Sequence, residues 1–374
     1  SGENLDDPAE PLHTNFSLAK AGEYLALVGS DGTTVLTQFP ADHPTTAAYP
    51  GQKEDVSYGL EPGGATAGFF TPASPGAANG SSFSGFVDDT KFSVGRGFYE
   101  SVQSVAITTA TPGATIRFTT DGSQPTETHG TTYSAPIDIG TTTVLRAMAY
   151  KQGLAPTNVD TNTYLFIDDV ISSPDLGVAP TQQMRDSLTA VPSLSIVSPS
   201  TVNGTSEVPS SFELVFPDGT EGFQENCGVK HFGGAFTNFD KKNFRLYFRS
   251  RYGASKLKFP LFDGFDRGIS ATDTFDQLNL RSGSHDMEKR GFYMSNRFTD
   301  DTMLDMGNIN PHGRFMHLYL NGRYWGVFHV RERWSASTLS EYLGGPREAY
   351  EAINGNWNVG GWADSVAPPY DGDG

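Results

Sequence analysis

The stretch YLNGRYWGVFHVRERW, residues 319–334, decides how the chain is read. Asn321-Gly322 is the dipeptide that a two-residue type I′ turn favours, because both central positions need positive φ. Apolar and aromatic residues flank it on both sides, so two antiparallel strands meet there. Side chains alternate across a strand. Tyr324, Gly326, Phe328, Val330 and Glu332 therefore fall on one largely apolar face, and the carboxylate of Glu332 ends it. A solvated strand end would pair Glu332 with Arg331 or Arg333. A functional wall would bring a cation from another strand, for which Lys242 and Arg281 are the candidates, since a carboxylate on a buried face needs a partner.

Lys242 comes from KKNFRLYFR, residues 241–249. In a strand, Lys242, Phe244, Leu246 and Phe248 share one face, and Lys241, Asn243, Arg245, Tyr247 and Arg249 the other. A lysine at the end of an apolar face either carries its ammonium out to water on its aliphatic stem or holds a nucleotide phosphate. Arg281 and Arg290 are candidate phosphate contacts, because a planar guanidinium grips phosphate with two parallel bonds. Asp286, between them, either caps a following helix or orders Arg290.

Working outward, strand-like runs dominate residues 192–374, with helices predicted over roughly 287–301 and 336–343. Residues 168–191 read as a bridge with a short helix over 181–188. Residues 91–167 alternate short strands with turns at Pro112-Gly113 and Asp121-Gly122, the spacing of a β-sandwich. Residues 71–90, dense in Gly, Pro, Ala and Ser, read as a linker. Residues 1–70 hold a strand pair around Asp31-Gly32.

At 374 residues the chain is long enough for two to three domains. With 42 Gly and 23 Pro it has many turns and few long helices. No apolar run approaches the roughly 20 residues that cross a bilayer, so no transmembrane segment is expected. The single cysteine, Cys227, rules out an intrachain disulfide and reads as a buried small residue. Ser1 stands where a Met would, which leads us to expect a processed product or a piece of a longer chain.

Charge is unevenly spread. Residues 1–229 hold 8 Lys/Arg against 26 Asp/Glu, a net of −18, whereas residues 230–374 hold 18 against 17, a net of +1. Within the latter, residues 230–258 hold eight basic side chains and one acid, Asp240. The acidic bulk argues against nucleic acid as a partner. It suits an extracellular or cell-surface protein, and its oxygen-rich composition suits calcium, although no calcium motif is present. The histidines lack zinc-ligand spacing.

Three resemblances follow from these stretches. LHTNFSLAKAGEYLALVGSDG with EDVSYG resembles the second half of bacterial lamin-tail domains, which are Ig-like sandwiches. TPGATIRFTTDGSQPT with YSAPIDI, TVLRAMAY and TNTYLFI resembles the chitobiase/beta-hexosaminidase C-terminal Ig-like domain, DGSQPT being its most specific piece. KKNFRLYFRSRYGASKLKFPLF, FDQLNLRSGSHD and FMHLYLNGRYWGVFHVRER resemble the CotH family of atypical protein kinases.

The resemblances imply a multidomain fold, two Ig-like all-β sandwiches followed by an α+β, strand-rich kinase-like domain. They imply an exported bacterial protein, ATP and Mg²⁺ as cofactors, and phosphorylation of surface proteins. Lys242, Lys241, Arg281, Arg290 and Glu332 would then be the nucleotide side, with Asp286 a structural or site acid. The sequence departs from the family in two places. Phe232-Gly233-Gly234-Ala235 replaces the usual polar turn before the strand lysine, and no aspartate after Glu332 sits in the expected metal-binding motif. The alternative is a non-catalytic, adhesive surface protein with a vestigial kinase-like fold. Protein partners or a surface assembly fit both readings. Carbohydrate binding is the weakest reading, because all four Trp lie in the last unit rather than in the sandwiches.

Overall fold

The computed structural model describes residues 18–53, 56–64, 66–74, 77–174, 177–202, 204, 206–232, 240–265, 267–283 and 292–350. The chain divides into two compact units. One comprises Ser1–Asp89, Thr109–Thr115 and Ala149–Thr157, and the other Thr90–Thr108, Ile116–Met148 and Asn158–Gly374.

In the first unit, β1 (Leu25–Val28) pairs with β2 (Val35–Phe39), and β3 (Ser57–Leu60) with β4 (Ala67–Phe70). These are separate two-stranded ladders, and the described residues do not show the Ig-like sandwich expected for 1–70. The 71–90 segment, predicted as a linker, takes part in the unit's core. Phe83 bridges Phe69, the Phe86 ring lies 4.7 Å from that of Phe69, and Val87 is buried.

The second unit begins with β5 (Lys91–Phe92), β6 (Gly97–Phe98), β7 (Gln103–Val105) and β8 (Ile107–Thr108). Next come β9 (Thr115–Thr119), β10 (Thr131–Thr132), β11 (Ile137–Ile139), β12 (Thr143–Tyr150) and β13 (Asp160–Leu165). A five-stranded sheet in the order β10-β9-β12-β13-β6 forms beside the pairs β11–β7 and β5–β8. Strand β12 is buried on both faces from Val144 to Ala149, so its one charged residue needs neutral partners inside. Arg146 finds them in Thr161 Oγ1 (3.3 Å) and the Gly122 carbonyl (3.1 Å).

Two short helices follow, α1 (Ile167–Ile171) and α2 (Gln182–Leu188). The latter is the predicted helix, and Thr181 caps it by accepting from Met184 N. The remaining strands are β14 (Ser193–Val197), β15 (Val208–Val215), β16 (Gln224–Phe232), β17 (Asn243–Tyr247), β18 (Leu257–Lys258), β19 (Thr274–Phe275), β20 (Gln277–Arg281), β21 (Gly313–Leu320) and β22 (Arg323–Glu332). Between them and after them lie α3 (Ser295–Asp305) and α4 (Ala336–Leu343). Part of the helix expected over 287–301 falls outside the described residues, and α3 begins at Ser295.

Seven of these strands close into a barrel in the order β14-β15-β16-β17-β20-β22-β21, sealed by parallel pairing of β14 with β21. Alternation fills its interior: Leu194, Ile196, Phe212, Leu214, Cys227, Val229, Phe244, Leu246, Leu278, Leu280, Met316, Leu318, Phe328 and Val330 are buried together. The turn forms as expected, with Asn321 at φ 50° and Gly322 at φ 77°. Its tip is fastened, because Asn321 Oδ1 accepts from Ser198 N at 2.8 Å.

Sandwich and barrel share buried polar contacts. Glu213, on the outer face of β15, is fully buried. It accepts from Arg96 Nε (3.0 Å), from Thr163 N (3.0 Å) and from the Thr163 hydroxyl.

Candidate functional site

The barrel gives each strand an inner and an outer face, and the residues singled out from the sequence divide between them. Glu332 is inner and 1% exposed. Its hydrogen bonds go to neither Lys242 nor Arg281, although the flanking Arg331 feels its charge. Glu332 Oε2 accepts from His312 N at 2.7 Å and faces His312 Nδ1 at 3.2 Å, while Oε1 accepts from Tyr342 OH at 2.7 Å. His312 Nε2 meets the Ile269 carbonyl at 2.7 Å. Hydrogen bonding and the charge of Glu332 raise the His312 pKa against the opposing effect of its burial.

Lys242 lies at the other end of the same interior, near enough to His231 to help lower that imidazole's pKa, which burial lowers most. Ladder register measures the separation. Phe244 pairs with Leu280, and Leu278 with Glu332. Glu332 therefore stands about four residues along the barrel from the level of Lys242, roughly 13 Å at the strand rise. Apolar side chains fill the space between. The structure does not bring Lys242 and Glu332 together.

Lys241 and the backbone carbonyl of Arg281 come together around Tyr293, and Lys241 Nζ also lies 4.6 Å from the centroid of the buried Phe328 ring. Lys241 Nζ donates to the Val327 carbonyl at 2.7 Å and lies 5.9 Å from the Tyr293 ring centroid. Tyr293 OH donates to the carbonyls of Arg281 and Val327, each at 2.9 Å. Burial lowers the Lys241 pKa to about 8, because a half-dry ammonium has lost part of its hydration. A bulge prepares this position. Leu318 pairs with Gly326 and Tyr319 with Tyr324, so Trp325 is the extra residue. Gly326 adopts φ 100°, and a Cβ there would stand 3.0 Å from Lys241 Nζ. The same bulge corrects the simple alternation: Trp325 packs against the interior, whereas Tyr324 faces the outer cluster with Tyr319.

Further cations gather beside this pair. Arg331 contacts Asp300 Oδ2 at 3.2 Å, and Arg297 contacts Asp301 Oδ1 at 2.6 Å. His329, 2% exposed, sits among Arg281, Arg297 and Arg331 with its Nε2 unpartnered. Burial above all, and then those three guanidiniums, lower its pKa to about 2, so it is neutral. Burial raises the Asp300 pKa while Arg331 and Arg297 work against that shift. Arg290 and Asp286 lie outside the described residues.

Sequence reasoning passed over Tyr293, Arg297, Asp300 and Tyr342, and it did not connect His312 with Glu332. The i,i+4 spacing of Arg297 and Asp301 was a readable signal of a paired helix face. The His312 and Tyr342 contacts to Glu332 had none, because they come from an adjacent strand's approach and from α4.

The arrangement thus holds the Lys241 ammonium over aromatic rings and a backbone carbonyl, while Arg281, Arg297 and Arg331 gather around His329. Residues 229–354 match the CotH kinase protein family. Residues 94–161 match the Chitobiase/beta-hexosaminidase C-terminal domain, an Ig-like module. No curated protein matches the chain. The CotH match opens inside β16 and takes in β17, β20, α3, β21, β22 and α4, with Lys241, Arg281 and Glu332. Strands β14 and β15, which complete the barrel, precede it. No described helix is long and apolar enough to cross a membrane.

Proposed function

We propose that this chain is the nucleotide-binding part of an exported bacterial protein of the CotH kinase type, which moves the γ-phosphoryl of ATP to a hydroxyl of a surface protein. The chitobiase-type module, with a partial lamin-tail segment over 1–70, presents it. One observation carries the reading: inside the CotH-matching stretch, the half-buried Lys241 ammonium and the Arg281 backbone meet at Tyr293. We place the triphosphate there. The ammonium of Lys241 keeps two N–H bonds beyond the one given to Val327, and guanidiniums bind phosphate in parallel pairs. The residues assigned are Lys241 and Arg281, and Lys242 is left to the barrel end.

Mg²⁺ does not fit the described residues. Among them no group of three or more His, Cys, Asp or Glu is placed to hold a metal ion. Asp300 and Asp301 face arginines, and Glu332 is committed to His312 and Tyr342. That commitment of carboxylates favours a second reading, a non-catalytic surface protein that keeps the anion-binding half of the fold.

Calorimetry with Mg-ATP separates the readings. We expect micromolar binding by the intact chain, lost in Lys241→Ala and in Arg281→Ala and retained in Lys242→Ala. Absence of binding by a folded intact chain sinks the nucleotide reading. Loss in Lys242→Ala alone moves the site to the barrel end.

A further inference from the structure

The outer face of β16 and β17 carries a ladder of cations that the nucleotide reading does not use. Lys230 and Arg245 stand directly opposite each other across the two strands. Like charges so placed are destabilising, and a sheet keeps them only where something offsets the repulsion. Here every cation lies over an aromatic ring. Arg245 is 4.8 Å from the Phe232 centroid, Lys230 4.7 Å from Tyr247, Arg249 4.8 Å from Tyr247 and Arg251 4.7 Å from Tyr252. The Tyr252 ring covers Gly228, where a Cβ would meet it at 2.4 Å.

Rings hold cations without neutralising them. The carboxylate that meets the ladder among the described residues is Glu207, 3.2 Å from Arg249 and also paired with Arg251. Those two arginine side chains remain 46% and 57% exposed. The face therefore presents a positive field at its surface, some 13 Å long by the strand rise over Gly228–Phe232.

We propose that this ladder docks the acidic region of a second copy of this chain, head to tail. The occupant's charge is in the sequence itself. Residues 1–229 carry a net of −18, and residues 230–258 carry eight basic groups against one acid. In the chitobiase-type segment, Glu100, Glu127 and Asp138 are exposed. A basic face on one copy that meets acidic side chains on the next makes a heterologous contact, which either closes a ring or runs on as a filament. Two acidic patches or two basic patches repel, so the contact has a direction. Screening also sets its range: the Debye length falls from about 30 Å at 0.01 M salt to about 3 Å at 1 M.

Sedimentation velocity at high micromolar concentration tests this with the whole chain. We expect the mean mass to rise with concentration at low salt and to fall to the monomer at 1 M NaCl. A Lys230→Glu, Arg249→Glu variant should stay monomeric at low salt, with its folding checked by circular dichroism. A Glu100→Lys, Glu127→Lys, Asp138→Lys variant should also stay monomeric alone, and mixing the two variants should restore association. A folded wild type that is monomeric at low salt overturns the proposal. So does association that persists in 1 M NaCl or in the reversed ladder. Capture of poly-glutamate by a chain that never self-associates assigns the ladder to a foreign acidic partner and also overturns it.

Discussion

Two glutamates are buried in the second unit, and they are held in opposite ways. Glu213, at the junction of sandwich and barrel, faces a cation from another element: Arg96 Nε at 3.0 Å, with Thr163 completing its shell. Glu332, at the barrel end, faces a histidine and a tyrosine from neighbouring segments. The first arrangement depends on an ion pair that spans two domains, so losing one partner strands a charge. The second is a network of hydrogen bonds from His312 and Tyr342. Burial raises the Glu213 pKa, while Arg96 and Thr163 pull it back. An interface built on the first kind should break abruptly, and a site built on the second should soften.

The sharpest way to break the comparison is Arg96→Met. It leaves the Glu213 carboxylate buried without its cation and should cost about 3–5 kcal/mol. Urea denaturation should show the sandwich and barrel losing stability together. A cost below about 1 kcal/mol would mean that water reaches Glu213 and the junction is looser than its burial implies.

Next in size is a pH effect centred on His329. Its folded pKa of about 2 lies below its ordinary 6.5, so the unfolded chain takes up a proton first as pH falls. Stability should therefore be intact above about pH 6.5 and decline below it, by at most about 1.4 kcal/mol per pH unit. His317, whose pKa burial lowers, works in the same direction. His312 works in the other, since its raised pKa adds stability below 6.5 that is lost as pH climbs through the folded value. Denaturation midpoints of His329→Phe should show a flatter acid limb than those of wild type. An unchanged limb would place the titration elsewhere.

Tyr342→Phe sharpens the contrast from the other side. It removes the hydroxyl that bonds Glu332, His312 Nδ1 and Thr272 N while keeping the ring, and should cost about 1–3 kcal/mol. The smallest effect is expected from Lys230→Ala, within about 0.5 kcal/mol by thermal unfolding, because a surface cation over a ring contributes little to the fold. A larger loss would make the ladder a structural element rather than a docking face.

Much of the barrel was readable from its residues. The Asn-Gly turn, the alternation along KKNFRLYFR and the strand ending on Glu332 all follow from local chemistry. What failed to read was decided by neighbours distant in sequence. The one-residue bulge at Trp325 reverses the facing of Tyr324, and nothing in YLNGRYWG announces which residue is extra. The identity of Glu332's partners depends on how β21 and α4 come to rest. Glu213 carried a faint signal in SSFELVF, a lone acid alternating with Phe212 and Leu214. The sequence does not say that another element covers that side. Nor does the alternation along KKNFRLYFR say that the apolar face Lys242 continues is the filled interior of a closed barrel.

Closure of that barrel has a consequence for anyone working with part of the molecule. The CotH match begins at residue 229, within β16, yet two of the seven strands precede it. A fragment started there would keep β16-β17-β20-β22-β21 as an open sheet with two raw margins. Unpaired backbone along β16 and β21 would recruit strands from other molecules, and the product would be expected in the pellet. The soluble unit is thus longer at its front than the family's boundary suggests, and β14 is the staple that seals it.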